Sequence, residues 1–537
     1  MKKNATPAWL EDAVFYEIYP QSFYDSNGDG IGDLLGILQK LDYIQSLGVN
    51  ALWLNPCFES PFQDAGYDVS DYYKIAPRYG TNEDAKRLFD EARRRGIRVL
   101  LDLVPGHTSI EHAWFKASCL PGRNEYTDWF VWTDSGWKWE VPGMRVVSGY
   151  ADRDGSYITN FFYFQPALNY GFAHPEEAWQ QPVDAPGPQR VRQELRNIMK
   201  FWLDLGCSGF RVDMAGSLVK KDWRSRETAA LWREMRAWFD KEYPDAVLIS
   251  EWGYPTTSIG EAGFHMDFTL PFAMPGYTSL LRKDSGPDAA RDPYAFPFFD
   301  RGGRGNILEF LDDYLFHYRN TVGKGLICLI TGNHDINPRL NRGRTPAELE
   351  LIYLFFLTMP GAPFIYYGDE IGMRTLNGLP SKEGGFNRTG SRTPMQWSQD
   401  PNAGFSSAPA EELYLPVDPA ADRPTVAAEE SDPASLLNRV RALIALRKQH
   451  PALCATGEFE VVYAESGRLP FVFKRSQDGE SILVAVNPAE RPAEVLLPAG
   501  TLSGTPQTLY GVVGALARQG EGWKLVLPGV SGGVYSI

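Results

Sequence analysis

Several short apolar runs in this chain end on side chains whose types can work together in acid–base chemistry. Asp102 and His107 follow one run, Arg211 and Asp213 end a second, Glu251 follows a third, and His334 with Asp335 follow a fourth. Two carboxyl groups flanking a glycosidic bond suffice to cleave it: one attacks the anomeric carbon and the other protonates the leaving oxygen. Where the two stand about 5–5.5 Å apart, the first forms a covalent ester and configuration is retained. Arg211, two residues before Asp213 on one strand face, would keep Asp213 ionised and nucleophilic. Glu251 lies between Ser250 and Trp252, and an apolar aromatic neighbour would raise its pKa, as a proton donor requires. Any one of these residues alone reads as a solvated loop charge. The chemical reading needs an architecture that gathers them.

That architecture is a (β/α)8 TIM barrel, whose strands deliver their C-terminal ends to a single mouth. Candidate strands are Val14–Tyr19, Ala51–Leu54, Val99–Asp102, Gly209–Asp213, Val247–Ser250, His265–Phe268, Leu326–Ile330 and Phe364–Tyr366. Between them lie helical patterns such as Leu34–Leu47, Asn82–Arg95, Gln189–Leu205, Glu227–Tyr243 and Ile307–Val322. The rhythm breaks from about Thr108 to Pro188, a stretch rich in aromatic residues, Gly and Pro that is too long for a plain connection. The Ala- and Pro-rich segment Ala408–Pro433 reads as a mobile surface excursion. After a helix at Ser435–Gln449 the period becomes two, with strands at Glu458–Tyr463, Phe471–Lys474, Ile482–Val486, Ala493–Leu497 and Trp523–Val526. The expected division is a barrel over 1–107 and 176–452, an inserted domain over 108–175 and an antiparallel β-domain over 453–537.

Composition narrows the partners. A chain of 537 residues with a net charge of −14 is a poor match for nucleic acid or anionic lipid. Its 15 Trp and 26 Tyr suit stacking on sugar rings, as well as filling a large core. Five scattered cysteines form neither a disulfide framework nor a zinc pattern. The opening MKKNATPAWLEDAV lacks an apolar leader and no run approaches the length of a membrane span, so a cytoplasmic enzyme is expected. Oligomeric state is not legible.

The segments DLVPGH (Asp102–His107), GFRVDMA (Gly209–Ala215), SEWG (Ser250–Gly253) and TGNHD (Thr331–Asp335) resemble, in order, the signature of the α-amylase superfamily, glycoside hydrolase family 13. Asn55–Tyr72, QPALN (Gln165–Asn169) and SRTPMQW (Ser391–Trp397) resemble its oligo-1,6-glucosidase and α-glucosidase branch, and the likeness runs from about Ala13 to the C-terminus. The resemblance implies Asp213 as nucleophile, Glu251 as acid/base and Asp335 as transition-state stabiliser. It implies that His107 and His334 bind hydroxyls of the bound glucosyl unit, that Arg211 orients Asp213, and that Tyr67 stacks under the ring. Asp64 with Arg392 would clamp the far hydroxyls, with Asp102, Phe164 and Gln165 as neighbours. Two positions depart from the family pattern. Gly106 stands where many members have an Asn that ligates calcium, and Met214 follows the nucleophile where Val, Ala or Thr is usual.

The segment DSNGDGIGD matches nine positions of an EF-hand loop through Asp25, Asn27, Asp29, the Ile31 carbonyl and Asp33, but position twelve is Gly36 rather than Glu. It reads either as an Asx/Gly turn capping the next helix or as a metal loop. Relatives in the branch carry it as a metal site, which implies a structural Ca2+, with Mg2+ as the alternative. The function expected on this basis is exo-acting hydrolysis of short α-glucosides. The alternative is an α-glucosyl transferase or isomerase, of trehalose synthase or glucanotransferase type, working through the same intermediate. A catalytically silent binding subunit would lack one of the three acids or carry a membrane anchor.

Overall fold

The computed structural model describes residues 6–282, 296–384, 387–502 and 504–537. The first five residues of the segment read as leaderless, and short stretches of the expected barrel and β-domains, lie outside these described residues.

Eight parallel strands close into a barrel in chain order: β1 (Phe15–Ile18), β2 (Ala51–Leu54), β3 (Arg98–Leu103), β4 (Gly209–Val212), β5 (Val247–Ser250), β6 (Met266–Phe268), β7 (Leu326–Ile330) and β8 (Ala362–Tyr366). Closure is made at Phe15, which lies opposite Ala51 on one side and Phe364 on the other. Nearly every strand residue is buried, because one face fills the barrel and the other is covered by helices. That is why the strands appear in the sequence as apolar runs rather than alternations. The helix expected over Leu34–Leu47 is instead two, α1 (Leu34–Gln39) and α2 (Leu41–Leu47), broken at Lys40 (φ −100°, ψ 7°). The Lys40 ammonium is held over the Tyr24 and Trp397 rings, 4.1 and 4.2 Å from their centres. Further on, α3 (Asn82–Arg94) starts at a Thr81/Asp84 capping box, and α4 (Pro186–Leu205) stops at Gly206 with φ +124°.

The excursion between β3 and α4 has a core of its own, made by Val131, Val141, Ile158, Ala167 and Phe172. It carries a two-stranded ribbon (Arg145–Val147 with Tyr157–Thr159), and the bridge His107↔Ala167 ties it to the barrel mouth. The segment Ala408–Pro433 corrects the expectation of a mobile excursion. Leu415 and Val426 are buried, Asp418 accepts from Arg374 Nε at 2.9 Å, and Val426–Ser431 is helical.

After α5 (Arg226–Glu242), α6 (Ile307–Thr321), α7 (Pro346–Thr358) and α8 (Leu436–Gln449), the chain enters the β-domain. It comprises β9 (Glu458–Tyr463), β10 (Phe471–Gln477), β11 (Glu480–Asn487), β12 (Ala493–Leu497), β13 (Gln507–Gly511), β14 (Leu516–Gln519), β15 (Gly522–Leu527) and β16 (Ser531–Ser536). Five strands form one sheet, ordered β9-β10-β11-β16-β13, and three form another, ordered β12-β15-β14. Period two sorts β10 and β11 between two cores. Phe471, Phe473, Ile482, Val484 and Val486 join the barrel core, whereas Val472, Leu483 and Ala485 face the second sheet. Among the described residues, no helix is long and apolar enough to cross a membrane.

Candidate active site

The C-terminal ends of β3, β4, β5 and β7 bring the expected acids together. Arg211, on β4, is fully buried among three carboxylates. Its Nη1 donates to Asp102 Oδ1 at 2.8 Å and Asp213 Oδ1 at 2.9 Å, and its Nη2 lies 2.8 Å from Glu251 Oε1. Backbone bonds fix both reacting residues: the Asp213 amide donates to Leu103 O at 2.8 Å and the Glu251 amide to Val212 O at 2.9 Å. Met214, between them in the chain, adopts the left-handed region (φ 43°, ψ 42°), which aims its amide at Glu251 Oε2, 2.9 Å away. Burial and the Glu251 charge push Asp213 well above the usual carboxylate range, against the pull of Arg211. Asp213 therefore holds its proton to higher pH than an ordinary carboxyl group.

Asp335, after β7, is in the opposite condition. Burial opposes its ionisation, yet His334, Arg388 and Arg392 hold it well below the ordinary range. Burial keeps His334 itself neutral, so the two guanidiniums carry the effect. Arg388 Nη1 and Arg392 Nη2 both donate to Asp335 Oδ1, at 2.5 and 2.9 Å. His107 is driven down to about 3 by burial and is likewise neutral. A neutral imidazole can both donate to and accept from hydroxyl groups. Tyr67 stacks on His334 (ring centres 5.4 Å apart, planes at 16°), and its hydroxyl donates to Asp102 Oδ2 at 2.9 Å.

One expected pairing is corrected. Arg392 does not reach Asp64; its Nη1 is engaged by Glu383 at 3.2 Å and its Nε by the His334 carbonyl at 2.8 Å. The partner of Asp64 is Arg388, whose Nη2 donates to Asp64 Oδ1 at 2.8 Å while its Nη1 holds Asp335. Gly384 makes room for this: a Cβ there would lie 2.4 Å from Arg388 Nη2 and 3.0 Å from Asp64 Oδ1. Gln165 supports Asp64 from behind, with Nε2 donating to Oδ2 at 2.9 Å, and Phe164 is buried in stacked contact with Phe162.

These groups enclose a cavity of about 610 Å3. Its charged part is lined by Asp64, Tyr67, His107, Asp213, Glu251, Asp335 and Arg388, and its apolar part by Phe161, Met214, Gly216, Trp252 and Phe272, with Ser217. Arg211, Arg392, Phe164 and Gln165 stand behind this lining. Sequence reasoning missed Arg388, Glu383 and a link between the inserted segment and β4. In that link Lys220 Nζ donates to Asn160 Oδ1 at 2.9 Å and Ser217 O at 2.8 Å, and burial pushes its pKa down to about 8. A Cβ at position 106 would lie 2.5 Å from Asn160 Nδ2, so the Gly that departs from the family pattern is what admits Asn160.

Asp25–Asp33 folds as a nest of Asx turns. Asp25 accepts from the amides of Asn27, Gly28 and Gly30 and from Ser406 Oγ, and Asp33 accepts from Ser26 and caps α1 through Gly36 N. The expected ligands are all oxygen donors, the chemistry a hard cation needs. Among the described residues, no three acidic, His or Cys side chains are gathered as a metal cluster.

Residues 17–456 match the α-amylase catalytic domain and residues 457–535 the α-amylase C-terminal domain. The trehalose synthase/amylase TreS of Mycolicibacterium smegmatis is 35% identical, over 84% of this chain and 78% of its own length. The oligo-1,6-glucosidase of Parageobacillus thermoglucosidasius is 31% identical, over 91% and 92%. Among solved structures, trehalulose synthase MutB from Pseudomonas mesoacidophila MX-45 superposes with a TM-score of 0.78 at 28% identity, covering 98% of this chain and 99% of that one. With its closed barrel, its C-terminal sheets and both domains matched, the chain belongs to the α-amylase family, glycoside hydrolase family 13.

Proposed function

We propose that the protein transfers α-glucosyl units with retention of configuration, chiefly isomerising a glucose-containing disaccharide, with hydrolysis as the competing outcome. The observation that carries this reading is the bridge Asp64–Arg388–Asp335. It closes the charged end of the cavity, so that one terminal glucosyl unit fits beyond the reacting carboxylates. The kinship with trehalose and trehalulose synthases supports transfer over the simple hydrolysis expected from the sequence motifs. Asp213 attacks the anomeric carbon while Glu251 gives its proton to the glycosidic oxygen, which leaves with the bonding pair. The resulting β-glucosyl ester is opened by a hydroxyl whose proton returns to Glu251, and the second inversion restores the α configuration. If that hydroxyl belongs to the retained sugar the product is an isomer; if it is water, glucose is released. Asp335 and the neutral His107 and His334 bind the sugar's hydroxyls, and the fixed negative charge of Asp335 stabilises the cationic transition state.

The test is product analysis of maltose, isomaltose, trehalose, sucrose and maltotetraose by chromatography and NMR. An isomeric disaccharide should be the main product from at least one disaccharide at high concentration. Glucose alone under all conditions would make the protein a hydrolytic α-glucosidase. Maltose as a primary product from maltotetraose would mean an open cleft and an amylase. The Asp25–Asp33 loop is proposed to hold a structural Ca2+, on the strength of its oxygen donors at Asp25, Asn27, Asp29, Ile31 and Asp33.

A further inference from the structure

We propose that Trp252, laid on the backbone of Gly216, is the stacking platform for the sugar on the leaving-group side of the scissile bond. This rests on the glycosyl-transfer reading above and names the group that retains the acceptor.

The cavity is divided by chemistry. Its charged end is spent on the terminal glucosyl unit, since Asp64, Arg388 and Asp335 form one continuous bridge. Glu251 has to reach the glycosidic oxygen, so the sugar beyond that oxygen lies beside Glu251. Phe161, Trp252 and Phe272 all line the apolar part of the cavity, and of these rings Trp252 is the chain neighbour of Glu251, beside Gly216 and Met214. A pyranose presents a face of C–H groups, which gains by covering a flat aromatic surface and shedding water.

Two features hold the indole in place without filling it. The Trp252 and Gly253 amides both donate to Asp267 Oδ1 at 3.2 Å, which pins the backbone independently of the side chain. Asp267 is itself fixed, fully buried and accepting from Ser258 Oγ at 2.5 Å. At Gly216, a Cβ would lie 2.8 Å from Trp252 Cε2 and Nε1 and 3.1 Å from Cδ1. Only a residue without a side chain lets the ring rest there, and Trp252 remains partly exposed to the cavity. Among the described residues the indole N–H of Trp252 makes no hydrogen bond, so that donor can serve a sugar hydroxyl. An aromatic ring that served only as core would be covered on all sides.

The experiment compares kcat/KM for maltose and for methyl α-glucoside in the wild type, Trp252→Ala, Trp252→Phe and Gly216→Ala. Both substrates need Glu251 to protonate a poor leaving group, but only maltose places a sugar on the platform. Trp252→Ala should depress maltose turnover at least about tenfold more than methyl α-glucoside turnover, and should raise the share of glucose among the products. Gly216→Ala, which forces the ring to move, should shift the ratio the same way, and Trp252→Phe should recover most of it. A parallel loss on both substrates, or no loss on maltose, overturns the proposal. If the wild type releases only glucose, the isomerase reading fails while the ratio of the two substrates still decides the role of Trp252.

Discussion

Arg388 and Arg392 both donate to Asp335 Oδ1, yet their other contacts give them different work. Arg388 joins Asp335 to Asp64 and so walls off the terminal sugar, whereas Arg392 ties Asp335 to Glu383, which also accepts from Tyr19 and Tyr414 at 2.6 Å each. Arg388→Ala should therefore lower kcat/KM for a disaccharide about 100-fold, the equivalent of about 3 kcal/mol of charged contacts, and should allow maltose to be released from maltotetraose. Arg392→Ala should lower kcat and the melting temperature together, because Glu383 would stay buried without its cation. Equal effects of the two changes on stability and product pattern would contradict this division. A second expectation concerns pH. The Glu251 charge helps to raise Asp213, so Glu251→Gln, which removes that charge, should let Asp213 remain ionised to lower pH. With α-glucosyl fluoride, which needs little acid assistance, the acid limb of kcat/KM should move to lower pH; a move upward would break the assignment. The reacting acids were legible because each closes an apolar run. Arg388 was not, since it precedes Arg392 by four residues in an irregular loop, and nothing in RTGSR ranks one guanidinium over the other.

At the scale of elements, legibility followed burial. Ala51–Leu54, Val247–Ser250 and Leu326–Ile330 are found with the expected bounds, because strands covered on both faces are buried at every position and read as nearly unbroken apolar runs. β14 went unseen for the opposite reason: three of its four residues, Ala517–Gln519, are exposed and carry no alternation. The break at Lys40 depends on rings from Tyr24 and Trp397, the latter more than 350 residues away in sequence, which no local period encodes. The Asp25–Asp33 loop is an element whose reading depends on an ion. If Ca2+ binds only the folded loop, a chelator should lower the melting temperature by mass action. Asp29 is exposed and its carboxylate accepts from Asn27 Nδ2 and the Ile31 amide within the loop, so Asp29→Ala should abolish the chelator effect while sparing the catalytic constants. Asp25→Ala should do more harm, since four groups of the fold donate to it. A melting curve indifferent to chelator would leave the loop as a turn that caps α1.

At the scale of the whole molecule, the barrel and the β-domain are separate in sequence pattern but share a core. Phe355 of α7 lies near Phe471 and Phe473, and Tyr314 of α6 meets Phe459 edge-on with ring centres 6.0 Å apart. Buried arginines bonded to carbonyls stand at this junction, beside side-chain pairs that cross it, such as Tyr510 with Glu350 and His450 with Glu480. Arg475 of β10 donates to the carbonyls of Thr358, Cys454 and Gly457, and Arg447 of α8 donates to those of Leu357, Met359 and Gly361. Leu357, Thr358 and Met359 end α7, so the guanidiniums satisfy carbonyls that the helix leaves unpaired and sit at the negative end of its dipole. Desolvation pushes Arg475 down to about 9 and Arg447 to about 10, which leaves both charged at neutral pH. Two domains joined by a continuous apolar core and by buried charge–carbonyl bonds should unfold as one unit. Phe473→Ala, which removes a ring from that core, should cost about 3–5 kcal/mol. Arg475→Met should also destabilise, because three buried carbonyls lose a charged donor. Both positions lie away from the cavity lining, so kcat/KM at 25 °C should be unchanged. Calorimetry and the loss of activity on heating should report a single transition, displaced to lower temperature by the same amount in each variant. A β-domain that melts first, with the barrel still active above that temperature, would show that the junction is an adjacency of two independent domains and would overturn the shared-core reading.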